Sequence, residues 1–423
     1  MGLTLAEKIL TAHSSDKRAV AGDIVEASVD LLMVHEVLGS RILPILEEMG
    51  LERVWDPDRV LVVNDHWAPA SDIKSAEIHK RNRRFVREQG ITHFCDVDCG
   101  ICHQVLPELG LVAPGDLVVG SDSHSTAYGA FNAFSTGLAA TDCATILATG
   151  RCWFRIPETI RIELNGTPGK MIMSKDIILK IIGDMGVEGA NYQSIEFHGS
   201  VVDRMTVDSR MTMTNMVVEA GAKCGLMPIS QNVKAWMTEY APSRSWTQVE
   251  PDSDAEYCER VEIDVGHDIG EPMVAAPHSP ANVRPVSELE GTPIDQAFIG
   301  SCTNARLEDL EIAARVLRGK RVHEGTRLIV TPASRLTYRR ALDRGIISDL
   351  HNAGAVVTNP TCGACVGGHL GVLASGEVCI SSTNRNFRGR MGSPEAEIYL
   401  ASPATVAASA VAGAIKDPRS VIA

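Results

Sequence analysis

Aromatic side chains and long apolar runs are both in short supply in this sequence. Phe, Trp and Tyr together make up 4% of its residues. No apolar run approaches the roughly 20 residues that a membrane-spanning helix requires. The opening residues, MGLTLAEKILTAHS, lack the basic segment and the apolar segment of a secretion signal. We therefore expect a cytoplasmic protein with no membrane partner.

Positive charge is scarce as well. The chain carries 40 Lys and Arg residues against 53 Asp and Glu residues, which gives a formal net charge of −13. A field of that sign repels phosphate backbones, so we expect no nucleic-acid partner. It does not exclude a small anionic substrate, because a local group of arginines can reverse the sign inside a pocket.

What the sequence does contain is an alternation of short apolar runs and helix-like segments. Val60–Val63 and Leu117–Val119 are typical of buried strands, whereas Ile73–Glu88 and Leu307–Leu317 have helical patterns. Glycine is plentiful, at 36 of 423 residues, which suits close packing of helices on sheets. The pattern predicts an α/β fold with largely parallel sheets.

A length of 423 residues is too great for one core, and two soft boundaries divide the chain. One lies near Pro157, where a new strand-and-turn pattern begins. The other is Glu271–Pro293, a stretch rich in proline and polar residues that we predict to be an extended crossing between domains. A surface loop within one domain is the alternative. We predict three domains, which cover residues 1–156, 157–284 and 285–423.

Two segments carry cysteines in a pattern that indicates metal binding. GSCTN covers Gly300–Asn304 and TCGAC covers Thr361–Cys365, and each follows an apolar, strand-like run. Eleven cysteines in a reducing compartment are thiols or ligands rather than disulfides. Electron-transfer clusters usually take four cysteines, so Cys302, Cys362 and Cys365 would leave one iron open to substrate. A zinc half-site or a redox dithiol is the alternative for the C-x-x-C pair alone.

A second cysteine pair lies in Cys99-Gly-Ile-Cys102-His103, which spells the haem c attachment motif. Haem attachment generally takes place outside the cytosol, and the opening residues do not resemble an export signal. Cys99 or Cys102 as a fourth cluster ligand is the stronger alternative to the three-cysteine set. The remaining cysteines are predicted to be small buried apolar residues.

Acidic residues and histidines occur together directly after two predicted strands. Asp65-His66 follows VLVVN, and Asp122 and His124 follow LVVGS. A carboxylate beside an imidazole raises its basicity and fixes its tautomer, which suits acid–base catalysis. His103 adds a third imidazole in the same N-terminal region. Any one histidine alone would be interpreted as a core or surface residue, but together they predict a catalytic site.

Two further patterns deserve interpretation: the first suggests contacts to an anionic substrate, and the second, taken alone, is best explained as an ordinary helix with a polar stripe. Arg385, Arg388 and Arg390 crowd into one loop, and clustered guanidinium groups can bind more than one carboxylate. A solvated basic loop is the alternative. Asn215 and Glu219 lie four residues apart, so a helix would place them on one face.

These segments together resemble the aconitase family over nearly the whole chain. The family's motifs occur in its order: NDH, GICH, GSDSH, TNMVVE, GSCTN, CGAC and NRNFRGR. The closing SPEAEIYLASPATVAASAVAGAI also fits. The resemblance implies a three-domain α/β core with largely parallel sheets around a central iron–sulfur cluster.

The resemblance also implies roles for individual residues. It implies that the acid–base groups are Asp65, His66, His103, Asp122, His124 and Glu219. It implies that the substrate-side residues are His35, Ser123, Asn215, Asn384, Arg385 and Arg390. It implies that a 4Fe–4S cluster with one open iron is held by Cys302, Cys362 and Cys365.

In activity, the resemblance implies a hydro-lyase that dehydrates and rehydrates a 2-hydroxy di- or tricarboxylate. Single-chain members continue into a swivelling domain, and the split members carry that domain on a small subunit. We expect such a partner here, in a heterodimer. Members that act on isopropylmalate in leucine biosynthesis are the predicted match, with homoaconitase and dimethylmalate dehydratase as alternatives. A pure electron-transfer protein and an iron-responsive nucleic-acid regulator are the rival interpretations.

Overall fold

In a computed structural model, which describes residues 2–422, helices and strands alternate along the chain. The α-helices are α1 (Leu5–Ala12), α2 (Leu43–Glu48), α3 (Ile73–Gln89), α4 (Cys102–Glu108), α5 (Ala140–Thr149), α6 (Ser174–Met185), α7 (Ser200–Arg204), α8 (Val207–Met216), α9 (Gln231–Tyr240), α10 (Val265–Asp268), α11 (Val286–Leu289), α12 (Leu307–Leu317), α13 (Arg335–Asp343), α14 (Ile346–Ala353) and α15 (Pro403–Ala412). The strands are β1 (Ile24–Ser28), β2 (Leu31–Val34), β3 (Val60–Val63), β4 (His93–Cys95), β5 (Leu117–Gly120), β6 (Phe134–Gly137), β7 (Arg151–Arg155), β8 (Thr159–Asn165), β9 (Ser194–His198), β10 (Cys224–Leu226), β11 (Glu259–Asp264), β12 (Met273–Ala275), β13 (Val283–Pro285), β14 (Gln296–Ile299), β15 (Arg327–Val330), β16 (Val356–Val357), β17 (Val378–Ser381) and β18 (Glu397–Leu400). A π-helical turn covers Leu38–Ile42, and 3-10 segments cover Pro57–Arg59, Ser123–Phe131, Val217–Ala220, Gly363–Val366 and Pro418–Ser420.

The first sheet is parallel and has the strand order β4-β3-β2-β5-β6. Its central strands, LLMV, VLVV and LVVG, are buried along their whole length, as expected for a sheet covered on both faces. The predicted strands at Val60–Val63 and Leu117–Val119 are therefore confirmed. Asp72 caps the start of helix α3. Gly90 follows its last residue with a φ of +69°, a backbone conformation that residues with a side chain rarely adopt.

Two further sheets follow along the chain. The second is parallel, in the order β10-β9-β8-β11, and the third is mixed, in the order β13-β12-β18-β17-β14-β15-β16. Strands β14 to β18 pair in parallel, and only β12 and β13 run antiparallel to their neighbours in the third sheet. Strands β1 and β7 form a separate antiparallel pair. The predicted α/β fold with largely parallel sheets is confirmed.

The predicted extended crossing at residues 271–293 is wrong. Met273–Ala275 and Val283–Pro285 form β12 and β13, which pair with each other, and β12 also pairs with β18. The prolines do not break these strands, because β13 is the edge of the sheet and Pro285 is its last residue. The three-domain division stays a prediction, and this pairing favours a second boundary before Met273 rather than at residue 284.

Buried apolar clusters join the sheets. Ile177 and Phe197 of the second sheet's layer belong to the same cluster as Phe298 and Ile398 of the third sheet. Another cluster connects the first sheet with α8 and with the cysteine-bearing loops of the third sheet. The three sheets therefore face a common region. Among residues 2–422, no helix is long and apolar enough to cross a membrane.

Candidate active site

Neighbouring strands of the first sheet end in acidic residues and histidines. His66, directly after β3, places its Nδ1 at 2.8 Å from Asp65 Oδ1. Its Nε2 lies 3.5 Å from Asp122 Oδ2, which follows β5. His35, after β2, stacks on His66 with ring centroids 4.3 Å apart. Because β2 lies between β3 and β5, these side chains meet at one sheet edge, where α/β proteins bind ligands.

Asp122 is the acceptor that several of these groups share. Its Oδ1 accepts a hydrogen bond from His103 Nε2 at 2.7 Å and from the backbone N–H of His124 at 2.8 Å. Burial alone would raise the pKa of Asp122, but hydrogen bonds from His103, His124 and His66 hold it well below its usual value. The pKa shift favours the carboxylate form of Asp122, which His103, His124 and His66 contact together.

The surroundings of His66 favour its protonated form. Burial alone would lower the pKa of His66, but the negative charges of Cys362 and Asp65 raise it well above its usual value. With Nδ1 bound to Asp65, the proton on Nε2 is the one that points toward Asp122. This geometry suits a general acid.

A third imidazole–carboxylate pair joins His124, which follows β5 of the first sheet, to Glu219, which precedes β10 of the second sheet. His124 Nε2 lies 2.8 Å from Glu219 Oε1, and Arg385 Nε donates to both carboxylate oxygens of Glu219 at 2.8 and 3.1 Å. The prediction that Asn215 and Glu219 share one face of a helix is wrong in detail. Helix α8 ends at Met216 and Glu219 lies in the 3-10 segment that follows, although both side chains still reach the site.

Three buried cysteines converge beside these pairs. They line a small cavity whose walls include Cys302, Cys362, Cys365, His66, His103, Asp122, His124, Asn384 and Arg390. Each of the three cysteines is 7% exposed or less. Two come from the turn around a 3-10 segment and the third from the loop after β14, so the predicted ligands do come together.

The surroundings of the three thiols fit an iron–sulfur cluster. Cys302 Sγ accepts hydrogen bonds from the amide groups of Asn215 at 3.3 Å and Asn384 at 3.4 Å, the kind of donor that tunes cluster sulfurs. Burial raises the pKa of Cys302 to about 12, so its thiolate form needs a cation such as iron beside it.

Arg306, which sequence reasoning missed, holds the loop that carries Cys302. Its buried guanidinium donates to the backbone carbonyls of Cys302 and Thr303, both at 2.6 Å, and to Gln104 Oε1 at 2.8 Å. It therefore ties the cysteine loop of the third sheet to α4, the helix that also carries His103. Its position two residues after GSCTN was the available signal.

The second cysteine pair lies at the start of α4. Cys102 lines the cavity, and its backbone N–H donates to Asp65 Oδ2 at 2.8 Å. Cys99 is not among the residues of the described chain that line it. Cys102 therefore remains the alternative fourth ligand, and the variant Cys102→Ser distinguishes a three-cysteine set from a set that includes Cys102.

The arginine loop contributes unequally to the site. Arg390 Nη2 lies 3.8 Å from Cys365 Sγ, and its buried Nε has no hydrogen-bond partner in the described part of the chain. Such a free, buried guanidinium N–H suits an anionic ligand. Arg388 is exposed. Ser123, beside the cavity residue His124, places its Oγ 3.4 Å from His124 Nδ1.

An α/β fold with three converging thiols beside three imidazole–carboxylate pairs is compatible with an enzyme that combines an iron–sulfur site with acid–base groups. The family model described as "Aconitase family (aconitate hydratase)" matches residues 7–293 and 286–413. The chain belongs to the aconitase family. Membership implies a 4Fe–4S cluster.

Several relatives match from end to end. The chain is 53% identical over 422 residues to "3-isopropylmalate dehydratase large subunit 1" of Methanopyrus kandleri, with 99% of each chain covered. It is 48% identical over 422 residues to the "3-isopropylmalate dehydratase large subunit" of Heliobacterium modesticaldum, with both chains fully covered. It is also 48% identical to a "probable methanogen homoaconitase large subunit" of Methanothermobacter thermautotrophicus, with 99% of this chain and 98% of that one covered.

Proposed function

We propose that this chain is the large subunit of a hydro-lyase that interconverts 2-isopropylmalate and 3-isopropylmalate by dehydration and rehydration. The convergence of three thiols on a cavity lined by acid–base groups carries the proposal. The names of the end-to-end relatives support the substrate, because they are 3-isopropylmalate dehydratases at 46–53% identity. Leucine biosynthesis is the expected pathway.

Cys302, Cys362 and Cys365 would hold the 4Fe–4S cluster. When bound, the cluster would supply Lewis-acid chemistry at the one iron that has no protein thiolate. Asn215 and Asn384 support this set, because both donate to Cys302 Sγ and Asn384 also contacts Cys365.

Dehydration removes a hydroxyl from one carbon and a proton from its neighbour. His66 would donate the proton that converts the departing hydroxyl to water, since its Nδ1 is tied to Asp65 and its Nε2 faces Asp122 beside the cavity. Arg385 and Arg390 would bind the substrate carboxylates, with Ser123 and His35 beside them. Rehydration at the other carbon reverses these proton movements.

The remaining base is proposed to come from a partner. The relatives are named as large subunits, which implies a small subunit. We propose that this small subunit carries a swivelling domain that closes the site and contacts the substrate's variable side chain.

A homoaconitase is the second candidate, because a relative at 48% identity bears that name. The test is to load the cluster, add the small subunit, and measure turnover of 2-isopropylmalate, homoaconitate and dimethylmalate. We expect 2-isopropylmalate to have the highest kcat/KM. A higher value for homoaconitate would overturn the proposed substrate in favour of the second candidate.

A further inference from the structure

We propose that Glu36 is a positioning residue that orients His66 through its negative charge, together with Asp65. This inference rests on the proposed function of His66 as the proton donor. Glu36 follows β2, the strand between those that lead to His66 and Asp122. The sequence signal was present in MVHEV, where an acid and a histidine follow a buried strand, as Asp65 and His66 do.

One oxygen of Glu36 anchors the turn that carries His66. The side chain is fully buried, and its Oε1 accepts the backbone N–H groups of His66 at 2.8 Å and Trp67 at 3.2 Å. His79, on α3, places its Nε2 at 3.3 Å from the same oxygen. Glu36 therefore links three segments of the first sheet's layer at the point where His66 leaves β3.

The other oxygen faces the two stacked imidazoles. Glu36 Oε2 lies 3.6 Å from His66 Nδ1 and 3.7 Å from His35 Nδ1. It is buried and has no hydrogen-bond partner within residues 2–422. A buried carboxylate oxygen without a partner is costly, so its placement against two imidazoles calls for an explanation.

The explanation that we favour is electrostatic orientation. Asp65 and Glu36 both lie on the Nδ1 side of His66, so their charges hold the Nδ1–H in place and direct Nε2 toward Asp122 and the cavity. The competing explanation is that Glu36 only anchors the turn by its hydrogen bonds. The two explanations differ in what they require, because the first needs the charge of Glu36 and the second needs its shape.

Three variants separate charge from shape. Glu36→Gln keeps the shape and an acceptor oxygen but removes the charge, whereas Glu36→Asp keeps the charge and shortens the side chain. Glu196→Gln is the matched control, because Glu196 is also fully buried, accepts a backbone N–H (Leu5, 2.6 Å) and contacts a histidine (His198, 3.1 Å). Glu196 lies on β9 of the second sheet and does not line the cavity.

Each variant is assayed as cluster-loaded large subunit with small subunit, and kcat is expressed per intact cluster. For Glu36→Gln we expect kcat to fall by about 10–100-fold, the range found when a carboxylate behind a functional imidazole is removed. KM should change little, since the substrate-binding arginines are untouched. Glu36→Asp should retain more kcat than Glu36→Gln, and Glu196→Gln should retain normal kcat.

The proposal is overturned if Glu36→Gln keeps normal kcat per cluster, or if it retains more kcat than Glu36→Asp. It is also overturned if Glu196→Gln loses as much kcat as Glu36→Gln. The comparison uses whichever hydroxy acid the wild-type pair turns over fastest. A wild-type preference for homoaconitate would therefore refute the proposed substrate and still leave the role of Glu36 fully testable.

Discussion

Each imidazole at the centre of the site has a carboxylate on one of its nitrogens. His66 pairs with Asp65, His103 with Asp122 and His124 with Glu219, at distances of 2.7–2.8 Å. Such a pair fixes the tautomer and the orientation of the ring, so the other nitrogen is available for a defined proton transfer. The three pairs thus fix the orientation of three imidazoles, and the second nitrogen faces Asp122 in His66, Tyr128 Oη in His103 and Ser123 Oγ in His124.

The proposed role of His66 predicts a loss of rate without a loss of the cluster. In His66→Asn, kcat per cluster should fall by about 10²–10⁴-fold, because Asn can donate a hydrogen bond but cannot transfer a proton. Asp65→Asn should be milder, because the imidazole remains while its orienting charge is lost. The measurement is kcat per intact cluster together with the melting temperature of each variant.

The alternative is that Asp65 and His66 only stabilise the end of β3. Asp65 does have structural contacts, since its Oδ2 accepts the N–H of Cys102 and its carbonyl accepts the N–H of Cys362 at 3.0 Å. In that case both variants would melt earlier and keep nearly normal kcat per cluster. That result would remove His66 from the mechanism.

The ligand set predicts a sharp difference between two cysteines of the same cavity. Cys302→Ser should abolish the cluster, because it removes one of only three thiolates. Cys102→Ser, its matched control, should keep the cluster, which should lose one iron readily on oxidation as in the wild type. Iron and sulfide content and the visible absorption spectrum measure both. A full cluster in Cys302→Ser and none in Cys102→Ser would show that Cys102 is the true ligand.

At the scale of elements, the strand ends were predictable and their partners were not. Buried strands are short, continuous apolar runs, so the first acid or histidine after VLVV or LVVG had to lie at the sheet edge. Lys175 was not predicted because its partners are backbone carbonyls, which no side-chain pattern reveals, and most partners of Arg306 are of the same kind. Strands β12 and β13 were not predicted because each is three residues long and β13 ends in a proline.

The loop before Asn384 and Arg385 depends on such an unpredicted contact. Lys175, at the start of α6, is fully buried and donates from its Nζ to the carbonyls of Ser382 at 2.9 Å and Thr383 at 2.5 Å. Burial lowers the pKa of Lys175 from 10.5 to about 7. Lys175 therefore joins helix α6 to the loop that carries Asn384 and Arg385, and its lowered pKa makes loss of its proton easier.

This pKa shift predicts how stability changes with pH. Between about pH 7 and 10.5, the unfolded chain keeps a proton on Lys175 that the folded chain has released, so this residue makes stability rise with pH. From about pH 7 to about pH 9, its contribution to the free energy of unfolding should increase by about 2 kcal/mol. Below pH 7 the contribution should be constant, because both states are protonated.

Denaturant unfolding at the two pH values measures this contribution. Because buried carboxyl groups such as Asp176 also titrate near pH 7, the comparison is between variants. From pH 7 to pH 9, the change in the free energy of unfolding should be about 2 kcal/mol less positive in Lys175→Met than in the wild type, and it should be the same in Lys180→Met as in the wild type. Lys180 is a suitable control because it lies on the same helix and pairs with Asp184 near the surface. An unchanged pH dependence in Lys175→Met would show that the lysine is protonated in the folded protein throughout this range.

At the scale of the whole molecule, three sheets face one cavity, and arginines reach this site although the chain as a whole is acidic. The chain carries a net charge of −13, yet Arg385 and Arg390 reach the site from one loop. A substrate with two carboxylates is thus attracted locally by a protein that repels anions globally.

The proposed division of labour between two subunits gives a prediction for the isolated chain. With its cluster loaded, the chain alone should bind the cluster stably but turn over 2-isopropylmalate at least about 10²-fold more slowly than the pair, because one acid–base group is proposed to come from the small subunit. Adding the small subunit should restore turnover in proportion to the complex formed. The pair containing His66→Asn controls for background activity of the small subunit. If the purified single chain reaches the rate of the pair, every acid–base group belongs to this chain, and the proposed partner has no part in the chemistry.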